Sequence, residues 1–280
     1  MLVLLIISAG LLANGLRKRR QGKKQLELGL SLFCYVQTVI GLLQQHRGLS
    51  NAGYVSGERF DQELAELQGQ LGVLFKETSN KTLEKFENWQ SFLDHWPKLK
   101  DSTNLRKLTA TQSMRQHSAL IESQFFLMDE IAEHFGLHRI KLDDMSYMYS
   151  LCIDTLRTAE IIAKARGFGS GLCDGHENLA ADVLALRFIN SELSVSSGQL
   201  SGELVSVRNQ ELLSYFKQSS QTIGKSVEQL VSVIENTILD PKKCMKTQDY
   251  FKLATIPIKQ LSDVNNTIID YVTSKHGFKR

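Results

Sequence analysis

The stretch from Gln25 to Arg47 reads QLELGLSLFCYVQTVIGLLQQHR and contains no proline. Its apolar residues recur every three or four positions, which is the period of an amphipathic α-helix. Gly48 follows directly, and glycine commonly ends helices, so the sequence predicts a first helix over residues 25–47. The positions that carry this period are Leu28, Leu32, Cys34, Tyr35, Val39, Leu42 and Leu43.

The same helical period returns along the rest of the chain. Only three prolines interrupt it, and no segment shows the sustained apolar–polar alternation of an exposed strand. We therefore predict an all-α protein with two antiparallel helical bundles, residues 25–135 and 143–274, joined by the long helix that ends at Phe135. The further helices are predicted at about residues 58–78, 80–96, 102–135 or 109–135 with Ser102 or Thr109 as the cap, 144–166, 176–193, 199–217, 222–239 and 246–274.

The N-terminus is almost wholly apolar over residues 1–16, and six basic residues follow within residues 17–24. Sixteen helical residues span about 24 Å, slightly less than the roughly 30 Å hydrocarbon core of a bilayer. Positive charge follows the apolar stretch rather than preceding it, which disfavours a cleaved signal peptide. We predict a single-pass anchor at residues 1–16, a basic juxtamembrane segment at 17–24 and a main domain in the cytoplasm. The alternative is a cytoplasmic protein with a disordered N-terminus.

Charge and cysteine usage narrow the classes of partner. The net charge of +3 is small, and the one dense basic run is the juxtamembrane segment, so we predict no nucleic-acid partner. The four cysteines lie far apart without CxxC pairs, which favours reduced thiols in a cytoplasmic domain over a disulfide scaffold. His134 and His138 have the i, i+4 spacing of metal ligands, but Gly136 lies between them and no second pair accompanies them. A thiol nucleophile at Cys152 or Cys173 with His176 is the corresponding catalytic alternative. We expect no metal site, no enzymatic activity and no cofactor.

Two short stretches match each other: residues 45–53, QHRGLSNAG, and residues 164–172, KARGFGSGL. Each has an arginine and a glycine at the end of an apolar helix, followed by an apolar residue and small residues. A guanidinium presents a planar fork of N–H donors that suits a planar oxyanion. The motifs predict that Arg47 and Arg166 converge on one small anion. Ser50 and Ser170, at helix starts after glycine breaks, are expected to complete the shell.

The arrangement resembles the nitrate- and nitrite-sensing (NIT) domain family, all-helical bacterial modules that bind nitrate or nitrite between two helical bundles. The residues that carry the resemblance are 44–50 and 165–171, QQHRGLS and ARGFGSG. The family commonly has an acidic residue before the first Arg-Gly, where this chain has His46. The family site also uses further arginines, and Arg208 is the later arginine that we assign to it.

The resemblance implies a sensor at the bacterial cytoplasmic membrane that binds nitrate or nitrite and signals by conformational change. No recognisable output domain follows residue 274, so we expect a separate signalling partner, and a homodimer is a further expectation. The competing hypothesis is a membrane-anchored helical interaction or scaffold protein without a small ligand. Anion-dependent stabilisation of the fold separates the two, because a ligand that binds the folded state raises its stability.

Overall fold

The computed structural model describes residues 2–56, 60–77, 80–173, 180–240, 242–243 and 245–278, and the side chains of residues 2–13 are not among those described. Within these ranges the protein is all-α, without a β-strand, as predicted. Eight helices are longer than one turn: α1 (Leu2–Ser56), α2 (Asp61–Glu77), α4 (Glu87–Asn104), α5 (Ala110–Phe135), α6 (Met148–Leu172), α7 (Ala180–Ser206), α8 (Gln210–Val233) and α9 (Thr247–His276); α3 is the four-residue turn Asn80–Leu83.

Helix α1 is a single helix of 55 residues that begins in the apolar N-terminus and runs through the first Arg-Gly motif. The predicted stop at Gly48 is therefore wrong. The Phe251 ring of α9 comes within 3.1 Å of where a Cβ on Gly48 would lie. Gly48 lies inside α1 and leaves room for the neighbouring helix α9, because a residue without a side chain permits close packing.

Helix α1 occupies the centre of the protein. It packs against α2 and α5 on one side and against α6 and α9 on the other. Helix α4 lies on α5, α7 lies between α6 and α8, and α8 also contacts α9. Residues from Gly29 to Gly53 of α1 are largely buried in this core, whereas residues 14–24 are exposed. The helix thus joins an exposed N-terminal arm to the middle of the packed domain.

Several predicted helix boundaries are confirmed and others are wrong. Thr109 begins α5 with a capping box, in which its side chain accepts from Gln112 N, and Gly136 ends α5 in the left-handed conformation. Pro97 lies inside α4 rather than ending a helix there. The helix predicted from residue 144 begins only at Met148, as α6. The Asp143 carboxylate instead accepts from the backbone N–H groups of Met145 and Ser146 in the turn before it.

Helix α1 is long and apolar enough to cross a membrane by length and composition alone, although half of its most apolar window is buried inside the protein. A core helix of a soluble protein meets the same criterion. The buried half of the window belongs to the packed domain, whereas residues 14–24 at the start of this stretch are exposed. Residue 1 of the predicted anchor and His176 lie outside the described residues.

Candidate anion-binding site

Polar side chains are buried together where α1, α5 and α6 meet, which is unusual for a helical core. Helix α1 contributes residues 44, 46 and 47, and α5 and α6 contribute the residues that face them. Because an unpaired polar group in such a core is costly, the hydrogen-bond partners of these side chains indicate what the cluster does. The buried members are Gln44, His46, Arg47, His117, Glu160 and Arg166.

Arg47 is fully buried and forms a two-pronged ion pair with Glu160 of α6. Its two terminal nitrogens donate to Oε1 and Oε2 of Glu160 at 2.6 and 2.9 Å, and one of them also donates to Ser118 Oγ at 2.9 Å. This geometry matches the planar fork of the guanidinium to a carboxylate. The positive charge of Arg47 is therefore compensated by a protein side chain.

Glu160 is the residue of this cluster that the sequence analysis missed. In addition to the bonds from Arg47, the Glu160 carboxylate accepts a hydrogen bond from Gln44 Nε2 at 3.0 Å. Lys164 Nζ lies 3.9 Å from Glu160 Oε1, at the edge of the core. The sequence did contain an indication of its role, because Glu160 is the only acidic residue between positions 155 and 173 and has apolar neighbours on both sides. A lone carboxylate on a buried helix requires a partner.

Arg166 is buried beside Arg47 but is bound differently. Its terminal nitrogens donate to Thr255 Oγ1 at 3.0 Å and to the Gln44 carbonyl at 3.3 Å, and its guanidinium lies 4.5 Å above the Phe251 ring. Its Nε has no hydrogen-bond partner among the described residues, and none of their carboxylates is within ion-pair distance. Burial, and then the charge of Arg47, lower the pKa of Arg166 to about 10, while Glu160 opposes this shift.

The charge balance of the cluster follows from these contacts. Arg47 and Glu160 cancel each other, and Arg166 remains as a buried cation without a carboxylate partner among the described residues. A guanidinium stays protonated at neutral pH even with a pKa near 10. An uncompensated buried charge is unfavourable, so the site is electrostatically suited to one small anion.

A cavity of about 280 Å³ lies beside Arg166, between α1, α6 and α9. A water molecule occupies about 30 Å³ of liquid, so the cavity has room for a small oxyanion together with several waters. Apolar residues of α1 and α6 and the Phe251 ring form part of the wall. The polar residues that line it are Gln37, Gln44, Gln45, Arg166, Thr255, Lys259 and Ser262.

The structure separates the other predicted ligands from this cavity. Ser50 lies inside α1 and donates its hydroxyl to the His46 carbonyl at 2.7 Å. Ser170 lies inside α6, so neither serine marks a helix start, and the expected contribution of helix N-termini is wrong. Arg208 is exposed between α7 and α8, and its backbone N–H donates to Asp143 at 2.7 Å.

The glycines of the second motif lie within α6 instead of ending it, contrary to the prediction. A Cβ on Gly167 would meet Met114 at 2.9 Å, and one on Gly169 would meet the Tyr250 ring at 2.2 Å. The Tyr250 hydroxyl donates to the Ala165 carbonyl at 2.8 Å across this contact. The small residues therefore allow α5 and α9 to approach the helix that carries Arg166.

Because Tyr250 fills the space beside Gly169, we expect Gly169→Ala to lower the free energy of unfolding by about 1–3 kcal/mol through overpacking. Gly224→Ala is the matched control, since no described atom lies within 4 Å of its added methyl group. That change should stabilise the protein by about 0.5–1 kcal/mol, because alanine is the better helix former. Denaturant unfolding of both variants checks the prediction, and equal stability of the two would contradict it.

A buried histidine pair completes the cluster next to Arg47. His46 Nδ1 is 2.8 Å from His117 Nε2, so the two imidazole rings are in direct contact. On the far side of each ring, His117 Nδ1 is 2.8 Å from the Ser113 carbonyl and His46 Nε2 is 3.0 Å from Gln68 Nε2. One set of neutral tautomers satisfies every contact: His117 Nδ1–H donates to Ser113, His46 Nδ1–H to His117, and Gln68 to His46. Burial lowers the pKa of His46 to about 4 and that of His117 to about 3, with the neighbouring His46 lowering the latter further.

The chemical character of the cluster is that of a buried cation beside a cavity, not of a metal centre, in the part of the chain that the structure describes. Among the described residues, no group of three or more histidine, cysteine, aspartate and glutamate side chains is placed to hold a metal ion. The paired charges of Arg47 and Glu160 stabilise the helix contact, and the unpaired charge of Arg166 beside the cavity is the feature with binding potential. Comparisons with protein-family models, with curated proteins and with solved structures found no match to this chain.

Proposed function

We propose that this protein is a bacterial sensor that binds nitrate or nitrite in the cavity beside Arg166. The observation that carries the proposal is a buried guanidinium without a carboxylate partner among the described residues, next to a mostly apolar cavity that several polar side chains also line. Arg166 supplies charge-assisted N–H bonds to the anion, while Gln44 and Thr255, which already contact it, hold its orientation. Lys259 at the cavity wall adds positive charge.

Arg47 has a positioning role in this proposal rather than a direct one. Its fork is occupied by Glu160, and Glu160 in turn accepts from the Gln44 side chain, whose carbonyl accepts from Arg166. The two Arg-Gly motifs thus meet through Glu160 and Gln44, with one arginine neutralised and the other free to attract an anion. This division of roles leaves a net positive charge of one in the core, which a monovalent anion such as nitrate or nitrite compensates.

We propose that the signal is a change in how two helical units pack. In this proposal the first unit consists of α1 to α5 and the second of α6 to α9, following the predicted halves 25–135 and 143–274. The cavity is lined by α1 from the first unit and by α6 and α9 from the second. An anion held there contacts both units at once, so its binding free energy favours one relative arrangement.

The N-terminal arm supports a membrane location. We propose that residues 1–16 anchor the protein in the cytoplasmic membrane and that the basic segment 17–24 lies on anionic headgroups, with residues 25–274 in the cytoplasm. The exposed side chains of residues 14–24 on the same continuous helix fit this arrangement. Release of the protein from membranes by deletion of residues 1–16 tests the anchor.

Titration calorimetry of the wild-type protein with nitrate, nitrite, chloride and sulfate tests the function directly. We expect saturable binding of nitrate or nitrite and weaker binding of chloride, because a spherical ion does not match the planar fork of donors. Sulfate should bind weakly as well, since Lys259 at the cavity wall is the only additional cation among the described lining residues that could compensate its second charge, and it lies outside the buried cluster. If neither nitrate nor nitrite binds saturably, the helical interaction protein is the better assignment.

Variants of Arg166 test the site within the protein. Because a hydrogen bond to a charged group contributes about 1.5–3 kcal/mol, Arg166→Ala should weaken anion binding roughly ten- to a hundredfold or more. Arg166→Lys should restore only part of the affinity, since it keeps the charge and loses the fork. Arg157→Ala is the matched control, because Arg157 also lies on α6 over a phenylalanine ring, 4.8 Å above Phe125. Equal loss in both alanine variants would contradict a site at Arg166.

A further inference from the structure

A second cavity, of about 210 Å³, lies between α1, α2 and the end of α4. It shares no lining residue with the cavity beside Arg166. Helix α1 lines it with the apolar and small residues that follow the arginine of the first Arg-Gly motif, which are Leu49, Ser50 and Gly53. The anion site uses none of these three residues, so this part of the motif has a different role.

Two hydroxyl groups in the wall of this cavity lack a hydrogen-bond partner. The Tyr54 hydroxyl and Thr103 Oγ1 are both buried, and neither has a partner with hydrogen-bonding geometry among the described residues. Thr103 as a whole is only 5% exposed. Burial raises the pKa of Tyr54, whereas neighbouring groups, among them Thr103 and Arg106, lower it, so these residues surround one point of the wall. A buried hydroxyl without a partner is unfavourable, and a molecule in the cavity would provide one.

The amide groups in the wall are already held in place. Gln68 Nε2 donates to Asn104 Oδ1 at 2.9 Å, and Asn104 Nδ2 donates to Gln68 Oε1 at 3.2 Å. Gln68 Nε2 also lies 3.0 Å from His46 Nε2, which ties this wall to the buried histidine pair. Because each amide orients the other, the wall is preformed, and binding does not have to order it. The polar groups that remain for a ligand include the two hydroxyls.

Arg106 lines the same cavity in a strained backbone conformation. It follows the residue that caps the end of α4 and has a φ of 48°, which no other non-glycine residue among those described shares in sign. Two other helix ends of this chain place a glycine in the left-handed region, at Gly136 and Gly277. Glycine adopts this conformation without strain, whereas other residues do so at a cost and are common at binding sites. The arginine side chain is therefore the reason that we infer for the strained position.

The charges and the volume of the cavity define the class of ligand. Arg106 contributes a positive charge to the wall, and Asp61, in the first turn of α2, contributes a negative one. At about 30 Å³ for each water, the cavity holds a molecule of about the size of seven waters, so a ligand with both charges carries them close together. A free α-amino acid has this property. The apolar part of the wall suits an apolar side chain and consists of Leu49, Phe60, Leu64 and Ala65.

From these residues we propose that the cavity between α1, α2 and α4 is a second ligand site, which binds a free amino acid with a small apolar side chain. Arg106 and the hydroxyls of Tyr54 and Thr103 donate to the carboxylate of the ligand, and Asp61 accepts from its ammonium group. The apolar wall covers its side chain. The proposal does not depend on the anion site, since the two cavities have no residue in common.

Thermal unfolding of the full-length protein in detergent, with each of the standard L-amino acids, tests the class of ligand. L-Valine should raise the melting temperature by about 5–10 °C at a concentration about a hundred times its Kd. Isovalerate and isobutylamine are L-valine without its ammonium and its carboxylate group, respectively. Each should bind at least tenfold more weakly, because one charged group of the site is then left without its partner. If no amino acid raises the melting temperature, or if either analogue binds as tightly as L-valine, the proposal is wrong.

Two variants test the residues of the site by calorimetry with L-valine. Thr103→Val removes the hydroxyl without a partner, and Arg106→Gln removes the charge, so each should weaken binding about tenfold or more. Arg187→Gln, at an exposed arginine on α7, should bind like wild type. Nitrate binding should be unchanged in Arg106→Gln, which keeps this result separate from that of the anion site. Unchanged L-valine affinity in both variants would overturn the assignment.

The stability of the ligand-free Thr103→Val variant distinguishes a binding role from a structural one. A hydroxyl that has no partner within the fold contributes nothing favourable, so its removal should leave the melting temperature unchanged or raise it. A hydroxyl that supports the fold would instead lower the melting temperature when it is removed. A fall in the melting temperature of ligand-free Thr103→Val would therefore contradict the proposed role of Thr103.

Discussion

Replacing Glu160 with glutamine should lower the free energy of unfolding by about 3–5 kcal/mol, because it leaves the fully buried Arg47 without a compensating charge. Arg47 is 0% exposed and forms both of its short ion-pair bonds with this one carboxylate. The glutamine amide oxygen can still accept a hydrogen bond from Arg47 but carries no charge, and Ser118 accepts one further bond. Denaturant unfolding monitored by circular dichroism measures the loss.

Two further variants separate the cost of an orphaned charge from the contribution of the pair. Arg47→Met combined with Glu160→Leu removes both charges and should recover most of the stability, since well-packed apolar residues often replace a buried ion pair without loss. Glu122→Gln breaks the partly exposed pair between Glu122 and Arg157, and should cost at most about 1 kcal/mol. If Glu160→Gln behaves like Glu122→Gln, the buried pair is not a structural element of the core.

Acidification from pH 7.5 to 5.0 should lower the free energy of unfolding by about 4 kcal/mol through the buried histidine pair. His46 and His117 have pKa values lowered to about 4 and about 3, against an ordinary value of 6.5 in the unfolded chain. Between these values the unfolded chain binds more protons, so stability falls as the pH falls below 6.5 and levels off near pH 3–4. One pKa unit corresponds to about 1.4 kcal/mol, which gives about 2 kcal/mol for each histidine at pH 5.0.

A variant without the two histidines separates their contribution to the pH dependence of stability from the contribution of the carboxylates. Burial raises the pKa of Asp154, Asp182 and Glu203, and these groups act in the opposite direction, since they regain stability as the pH falls. The double variant His46→Gln with His117→Gln should therefore lose about 4 kcal/mol less than wild type over the same pH interval. His95→Gln, at an exposed position on α4, should keep the wild-type pH dependence. Identical pH profiles for wild type and the double variant would exclude the histidine pair as the cause.

The sequence was sufficient for the fold class because helical periodicity is a local property. The spacing of apolar residues in 25–47 and in 109–135 predicts helices without knowledge of what covers them. The capping box at Thr109 and the left-handed Gly136 are equally local, and both were predictable from residue type. The helix ends predicted at internal glycines were wrong, because the role of such a glycine depends on residues that are distant in the sequence. Whether Gly169 ends a helix or admits a neighbouring ring depends on Tyr250, which is 81 residues away in the chain.

The candidate site was predictable only in part. The matched Arg-Gly motifs led to Arg47 and Arg166, and the structure places both in the same buried cluster. Their different partners could not be inferred, because Glu160 is paired with Arg47 by the crossing of α1 and α6 and not by any sequence spacing. The expected roles of Ser50 and Ser170 depended on helix starts that do not exist at those positions.

The uninterrupted length of α1 has a mechanical consequence for signalling. From Gln44, which contacts Arg166, to Asn14 near the proposed membrane surface the helix extends about 45 Å without a break. A rod of this length acts as a lever, so a tilt of about 5° at the cavity displaces its far end by roughly 4 Å. In the proposed sensor, a rearrangement small enough to fit around a single bound ion would thereby be converted into a movement as large as a side chain at the bilayer.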